Sequence, residues 1–257
     1  MEIIYGPVSS WRLGKSLGID LICSNKKTCS FDCIYCQLGK ESNKTLSRKD
    51  FISMDKLNTE LTNKLQLVSP DFITFSGLGE PTLAKNLDEA IILTNKITKV
   101  PCAILTNSTL LHDINVIKSL SLLDVVIAKL DAPNEKLFQE INQPFDGIYL
   151  NDVIKDLKNF KNRYLGKFCI QTMFMKNNFN YFKDIGEILF EINPDEVQVN
   201  TPLRPCGIKP LNKQQIAKID TFFKDGGLNT ISVYSSDKPM TSPLDKIEML
   251  RRRKSEQ

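Results

Sequence analysis

Residues 71–97 read DFITFSGLGEPTLAKNLDEAIILTNKI, and this stretch decides the fold class. It opens with an apolar run at 71–77 that is dense in β-branched and aromatic residues, which is typical of a strand buried in a parallel sheet. A glycine-rich loop follows, and residues 87–97 then repeat apolar side chains with a helical period. A strand, a loop and a helix in this order predict one βα unit of a parallel sheet.

The same unit recurs along the chain. The other predicted strands lie at 16–22, 102–107, 125–130, 168–175, 197–201 and 231–234, and the other predicted helices at 54–67, 114–120, 134–141, 150–160, 181–190 and 213–223. Repeated units with right-handed crossovers predict one α/β domain, a partial or full (β/α) barrel of six to seven parallel strands. An open doubly wound sheet is the alternative. We expect residues 1–16 to precede the barrel, 17–235 to form it and 236–257 to be a tail.

Composition limits the partners and the location. The chain has 257 residues, 41% of them hydrophobic, and a net charge of +4, which permits an anionic partner such as tRNA but does not indicate one. The basic run at 251–254 is interpreted as a solvated tail. No stretch approaches the ~18 apolar residues of a membrane span, and the N-terminus lacks a secretory pattern. These features predict a cytoplasmic protein that does not enter a membrane.

The cysteines are concentrated in one segment. Residues 28–39 read TCSFDCIYCQLG, so Cys29, Cys33 and Cys36 lie within eight positions. In a reducing compartment, such crowding indicates metal binding rather than disulfides. Two sites are open at this point. One is a zinc site with Cys23 as fourth ligand, and the other is an iron–sulfur cluster with one iron left for a small molecule.

The loop at 76–83, SGLGEPTL, directly follows a predicted strand. It has two interpretations. In the first it is a tight βα turn whose glycines supply positive φ. In the second, Gly77 and Gly79 let the backbone approach a ligand, while Glu80 either offsets positive charge or holds the loop.

Polar residues also follow other predicted strands, and the carboxyl ends of barrel strands carry the active site. Asn107 and Ser108 are candidates either for ligand contact or for a helix cap. Asn200 is a candidate for contact with a cofactor or substrate.

Two further residues are candidates for chemistry. Lys129, beside Asp131, is either a reactive amine or, as we favour, the partner of a barrel carboxylate. Cys206 is either a hydrogen donor or second metal ligand, or, as we favour, an ordinary loop thiol. Two other cysteines, Cys102 and Cys169, lie within predicted strands and are expected to be buried.

The spacing Cys29-x3-Cys33-x-Tyr35-Cys36 matches the signature of the radical S-adenosylmethionine (SAM) superfamily. The segment Gly77-Leu78-Gly79-Glu80-Pro81 resembles the loop with which that family contacts the SAM amine. With residues 5–8, 12–14, 105–111, 130–133 and 194–205, the match covers roughly 5–206. Over that span the chain resembles a group of Fe–S oxidoreductases related to the tRNA 4-demethylwyosine synthases.

The resemblance implies a set of cofactors and a reaction. Cys29, Cys33 and Cys36 would bind a [4Fe–4S] cluster, whose open iron chelates SAM. Reductive cleavage would give a 5′-deoxyadenosyl radical that abstracts hydrogen from an unidentified small-molecule, nucleoside or peptide substrate. A donor such as ferredoxin or flavodoxin would supply the electron. The expected cofactor-binding residues are Tyr35, Gly77, Gly79, Glu80, Pro81, Asn107, Ser108, Asp131 and Asn200, and the candidate catalytic residues are Lys129 and Cys206.

Two alternative functions stay open at this stage. One is a wyosine-type tRNA-modifying enzyme, and the other is a non-catalytic metal-binding protein. A demethylwyosine synthase is expected to carry further N-terminal cysteines for a second cluster. Before Cys29 this sequence has only Cys23.

Overall fold

The computed structural model describes residues 1–40 and 42–252. Its main sheet has eight strands and is mostly parallel. The strands of the chain are β1 (Ile4–Ser10), β2 (Gly14–Ile19), β3 (Lys27–Cys29), β4 (Ser42–Lys44), β5 (Phe72–Phe75), β6 (Cys102–Thr106), β7 (Val125–Lys129), β8 (Lys167–Met173), β9 (Glu196–Asn200) and β10 (Thr230–Ser232). β3 and β4 form a separate two-stranded parallel pair.

The strand order of the main sheet is β1-β2-β5-β6-β7-β8-β9-β10. From β2 to β10 every neighbouring pair is parallel, whereas β1 pairs with β2 antiparallel at the edge. The order follows the chain and never reverses, so the sheet has no topological switch point of the doubly wound kind. The alternative of a doubly wound sheet is therefore wrong, and the prediction of a partial barrel is confirmed as a half-barrel.

Helices connect the strands and cover the outer face. They are α1 (Met54–Leu65), α2 (Leu87–Ile97), α3 (Ile114–Leu120), α4 (Glu135–Asn142), α5 (Leu150–Lys161), α6 (Phe182–Ile192), α7 (Lys213–Asp225) and α8 (Lys246–Arg251). Each predicted helix is present to within two residues at either end. The additional helix, α8, lies in the predicted tail. Within the described part of the chain, no helix has the length and apolar character needed to cross a membrane.

The two faces of the sheet have different neighbours. On β7, Val126 and Ala128 belong to the main core that the helices cover, while Val125 and Ile127 point to the inner face. This alternation is the period of two expected for a strand. On the inner face the turn between β1 and β2 contributes Leu13, which packs in a small second cluster with Ile127. The first hairpin therefore covers part of the inside of the half-barrel.

The C-terminal segment is not uniformly solvated. Arg252 is 3% exposed, and its Nε lies 3.2 Å from Asp20 Oδ2 while its Nη1 lies 3.0 Å from Glu248 Oε2. Its guanidinium also lies 4.5 Å from the centre of the Tyr5 ring. The interpretation of the basic run as a solvated tail is therefore wrong for Arg252, because the buried carboxylate of Asp20 requires a cationic partner. Residues 253 and 254 lie outside the described residues.

Candidate active site

A cavity of about 540 Å³ opens on the inner face of the half-barrel, within the size range of small-molecule sites. The polar side chains of its wall include one from each of five strands: Ser16, Thr74, Lys129, Gln171 and Asn200. They occupy inward positions of strands whose alternate residues are apolar. At the carboxyl ends of the strands, the cysteine loop and the glycine loop form the rim.

The cysteine loop begins where β3 ends, at Cys29. Cys29, Cys33 and Cys36 are free thiols of intermediate exposure, and the first and last of them line the cavity. Side-chain amides approach two of the sulfurs: Asn107 Nδ2 lies 3.6 Å from Cys29 Sγ, and Asn142 Nδ2 lies 3.6 Å from Cys33 Sγ. Hydrogen bonds of this kind to sulfur are typical of iron–sulfur ligands.

Burial and nearby carboxylates disfavour bare thiolates in this loop. Burial, followed by Glu80, raises the pKa of Cys29, and burial, followed by Asp131, raises the pKa of Cys33 to about 12. Without a metal both groups are therefore thiols at neutral pH. A metal that binds thiolates would have to displace their protons.

A buried lysine supplies positive charge beside the same loop. Lys27 is 4% exposed, and its Nζ lies 2.5 Å from Asp32 Oδ1 and 3.3 Å from the carbonyl oxygen of Gly39. Burial alone would lower its pKa, but the proximity of Cys36 and Asp32 raises it. The loop thus combines soft sulfur donors, amide donors and a fixed cation, which fits an anionic thiolate-bound cluster.

The zinc alternative required Cys23 as fourth ligand, and that hypothesis is wrong. The Cys23 thiol lies 3.5 Å from the carbonyl oxygen of Glu2 and 3.7 Å from that of Met1, and it does not line the cavity. In residues 1–40 and 42–252, no three or more His, Cys, Asp or Glu side chains are arranged to hold a metal ion. A single zinc needs its ligands around one point, whereas cluster thiolates bind separate irons and lie further apart.

The glycine loop packs directly against the cysteine loop. The Glu80 N–H donates to the carbonyl of Thr28 at 3.1 Å, and the Thr28 N–H donates to that of Leu78 at 3.0 Å. A Cβ on Gly79 would lie 1.6 Å from the Thr28 oxygen, and one on Gly77 would lie 2.2 Å from Asp20 Oδ1. Both glycines are therefore required by contacts within the protein, and both still line the cavity. The expectation of positive φ is wrong, since neither glycine has it.

Glu80 holds this loop to the end of β6. Its Oε1 accepts from Thr82 N at 3.2 Å and from the Thr82 and Thr106 hydroxyls at 2.7 and 2.8 Å, and its Oε2 accepts from Asn107 N at 2.7 Å. Burial raises the pKa of Glu80, although these hydrogen bonds oppose the shift. Of its two predicted roles, holding the loop agrees with the geometry. Pro81 starts a buried 3-10 helix (Pro81–Leu83) and is not part of the cavity wall.

Asn107 and Ser108 directly follow β6, and they differ in their position relative to the cavity. Asn107 lines the cavity, and its Nδ2 donates to Ser30 Oγ at 2.7 Å. Ser108 is buried at φ 76°, accepts from Lys129 N at 3.1 Å, and does not line the cavity. The helix-cap alternative is wrong for both residues, because α3 begins later and is capped by Asp113.

Lys129 forms an ion pair, as favoured from the sequence. Its Nζ lies 3.0 Å from Asp131 Oδ1 and 5.0 Å from the centre of the Tyr35 ring. Asp131 is buried behind the cavity wall and accepts hydrogen bonds from the Tyr35 hydroxyl, from Asn142 Nδ2 at 2.8 Å and from Met173 N at 2.8 Å. This network ties the cysteine loop to the ends of β7 and β8.

The structure places the two remaining candidates differently. Asn200 lines the cavity, with its Nδ2 3.2 Å from Gln171 Oε1. Cys206 lies in the loop after β9, with its thiol 3.5 Å from the Ile208 carbonyl oxygen, and does not line the cavity. This placement agrees with the interpretation of Cys206 as an ordinary loop thiol.

Three arginines and a tryptophan that line the cavity were not among the predicted site residues: Arg12, Arg204, Arg252 and Trp11. Trp11 and Arg12 come from the turn between β1 and β2, with the Arg12 guanidinium 5.0 Å from the centre of the Trp11 ring. Arg204 lies at the exposed edge, with its Nη1 2.7 Å from Gln37 Oε1. A polar or aromatic residue in a tight hairpin carries no sequence signal that distinguishes the inside of a barrel from solvent.

Comparison with known proteins gives a family-level match. The family model described as the radical SAM superfamily matches residues 27–192, which include the cysteine and glycine loops. A curated relative, the UPF0026 protein slr1464 of Synechocystis sp., is 40% identical over 218 residues. The aligned region covers 82% of this chain and 78% of that protein.

Solved structures agree on the fold. Native anSMEcpe with bound AdoMet superposes with a TM-score of 0.64 at 20% identity, over 85% of this chain and 64% of that one. An archaeal TYW1 superposes with a TM-score of 0.57 at 14% identity, over 82% and 71% of the two chains. At these identities the likeness establishes the shared half-barrel.

Proposed function

The chain belongs to the radical SAM superfamily, and from that premise we propose that it is an enzyme that cleaves SAM reductively and abstracts hydrogen from a substrate. Cys29, Cys33 and Cys36 are the proposed ligands of a [4Fe–4S] cluster. One observation carries the proposal. Free thiols from a single loop stand at the rim of a small-molecule cavity, directly against a glycine loop that also lines it.

When bound, the cofactors supply the chemistry: an electron passed to the SAM sulfonium releases methionine and a 5′-deoxyadenosyl radical. The work of the protein is to hold the ligands in place. Asn107 and Asn142 donate toward the sulfurs of Cys29 and Cys33, and Lys27 balances the negative charge of the loop.

The residues proposed to contact SAM are those that line the cavity near this rim: Tyr35, Gly77, Gly79, Glu80, Asn107 and Asn200. Gly77 and Gly79 present backbone without side chains there, and Glu80 fixes their loop. Ser108, Pro81 and Asp131 do not line the cavity, so we assign them structural roles. Lys129 is a positioning residue, because its ammonium contacts both Asp131 and the Tyr35 ring.

The wall below the rim would exclude water from the reaction. Leu105, Ile127 and Met173 are apolar side chains of the cavity surface. An apolar wall protects a reactive radical from side reactions, which is one general function of a closed active site.

Anaerobic reconstitution tests the proposal. We expect the wild-type chain, supplied with iron and sulfide, to show a cluster absorbance, and to release 5′-deoxyadenosine with SAM and dithionite. Cys33→Ala should lose both signals. Cys206→Ala, which removes a thiol that does not line the cavity, should keep the iron content. A wild-type chain with neither cluster nor 5′-deoxyadenosine would overturn the proposal.

A further inference from the structure

The floor of the cavity is formed by the turn between β1 and β2. Leu13 of this turn packs with Ile127 and Cys169 on the inner face of the sheet. Arg12 lies close enough to Cys169 to interact with it electrostatically. Cys169 stands four residues before Met173, the last residue of β8. At about 3.3 Å per residue, Cys169 therefore lies roughly 13 Å along β8 from its carboxyl end, while Arg12 also lies close enough to Arg204 to interact with it.

Within residues 1–40 and 42–252, the Arg12 guanidinium has an aromatic neighbour, Trp11, but no carboxylate partner. Its Nε is buried and has no hydrogen-bond acceptor, and none of the carboxylates in residues 1–40 and 42–252 pairs with it. Burial and the neighbouring Arg204 lower its pKa to about 10, so the guanidinium is still protonated at pH 7. Arg12 as a whole is half-buried, but its Nε is fully buried, so an anionic ligand would supply the acceptor that this N–H lacks.

The other charges of the cavity do not provide that counter-ion. Glu80 is the single acidic side chain of the wall among the described residues, and it is occupied by the hydrogen bonds that hold the glycine loop. The cation of Lys129 is balanced by Asp131, and that of Arg252 by Asp20 and Glu248. Arg204 adds a further positive charge at the mouth. The field inside the cavity thus favours an anion.

We propose that the substrate is a small molecule with a carboxylate or phosphate group, and that Arg12 binds this anion on the floor of the cavity. The assignment rests on the proposed function. A guanidinium binds carboxylate and phosphate oxygens through two parallel hydrogen bonds, which fixes both position and orientation. Anchored at Arg12, the remainder of the substrate lies between the floor and the rim.

Two other anions fit this place less well. In the superfamily the SAM carboxylate is expected at the cluster iron, which belongs to the rim rather than the floor. The phosphates of a polynucleotide are bound along exposed surfaces. The cavity of about 540 Å³ is instead matched to a small molecule.

The position of Trp11 provides a direct measurement. It is the only tryptophan of the sequence, and its ring centre lies 5.0 Å from the Arg12 guanidinium. We would titrate the full-length, reconstituted protein at saturating SAM with inorganic phosphate, succinate or uncharged succinamide, at constant ionic strength, and follow tryptophan fluorescence. We expect phosphate or succinate to bind with a Kd of about 1 mM, and succinamide not to bind.

Variants identify the binding residue. Arg12→Gln should weaken anion binding about tenfold or more, and Arg12→Lys by a smaller factor, because an ammonium cannot make the two parallel bonds. The control Arg163→Gln removes the same charge from an exposed position outside the cavity and should bind like wild type. If circular dichroism shows that Arg12→Gln is unfolded, Arg12→Lys decides the comparison.

The outcomes separate the possibilities. A lower Kd for phosphate than for succinate, or the reverse, identifies the anionic group of the substrate. The proposal is overturned if neither anion binds at saturating SAM or if the Arg12 variants bind as tightly as wild type. Formation of 5′-deoxyadenosine is assayed separately, so a failure of SAM cleavage would remove the proposed function without altering the anion-binding result.

Discussion

Glu80 and Arg12 line different levels of the same cavity, and the protein treats their charges in opposite ways. At the rim, the Glu80 carboxylate accepts four hydrogen bonds from Thr82, Thr106 and Asn107. At the floor, the Nε of Arg12 is buried without an acceptor. The difference teaches that the chain itself satisfies the Glu80 carboxylate, whereas it leaves the Arg12 Nε without an acceptor, which is the basis for the anion proposed above.

The rim is rigid because its loops hold one another. The glycine loop after β5 pairs with Thr28 of β3, and Glu80 links it to the end of β6. Asp131 after β7 holds Tyr35 of the cysteine loop. Buried polar networks of this kind specify one arrangement when all members are paired, and removing one member leaves several groups unsatisfied.

The largest effect on the rim is expected from Gly79→Ala. The new Cβ would lie 1.6 Å from the Thr28 carbonyl oxygen, a backbone atom that cannot yield without breaking the pairing of the two loops. We expect the free energy of unfolding to fall by about 3 kcal/mol or more, measured by denaturant titration. Gly207→Ala is the matched control, because nothing lies within 4 Å of its Cβ position. Equal stabilities of the two variants would contradict the close packing of the loops.

A smaller loss is expected from Glu80→Ala. It leaves the N–H groups of Thr82 and Asn107 and two hydroxyls without their acceptor in a buried setting. The expected loss of unfolding free energy is about 2–3 kcal/mol, because each unsatisfied buried group is costly. Glu80→Gln should lose less, since it keeps one acceptor oxygen. Glu187→Ala, at an exposed position of α6, should be close to neutral, and a neutral Glu80→Ala would remove the role assigned to the carboxylate.

The smallest effect, and one of opposite sign, is expected at the floor. Arg12→Met keeps an apolar stem against Trp11 but removes the charge over that ring and the buried Nε that lacks an acceptor. Since no ion pair of the described residues is broken, we expect the free energy of unfolding to stay the same or rise by about 1 kcal/mol. Thermal or denaturant unfolding measures it. A loss as large as that of Glu80→Ala would mean that Arg12 is part of the structural framework, and the contrast between rim and floor would disappear.

Much of the fold followed from local pattern. The apolar runs that became β5 to β10 are dense in β-branched residues, and the helices between them repeat apolar side chains every three to four positions. The regular alternation of predicted strands and helices indicated a parallel sheet whose strand order follows the chain. The hairpin of β1 and β2 was only partly foreseen, since residues 1–16 were placed outside the barrel, and α8 was missed because its six residues carry too short a pattern.

The candidate site was predicted unevenly. The three cysteines and the glycine loop are contiguous motifs, so they were identified by their spacing together with their resemblance to the superfamily motifs. Pro81 and Ser108 stand next to Glu80 and Asn107 of the cavity wall, yet neither of them lines the cavity. Adjacency in sequence predicted the neighbourhood of the cavity but not which side of the backbone each residue faces.

By itself the sequence determined a parallel βα sheet and a three-cysteine loop, because both depend on residue types at short, fixed spacings. Tertiary structure alone decided that Cys23 is apart from that loop, that Gly79 is needed by Thr28, and that Arg12 lies under the cavity. These facts join residues that are distant along the chain. Such contacts depend on how a hairpin and several strand ends are arranged in space, and local sequence patterns do not predict that arrangement.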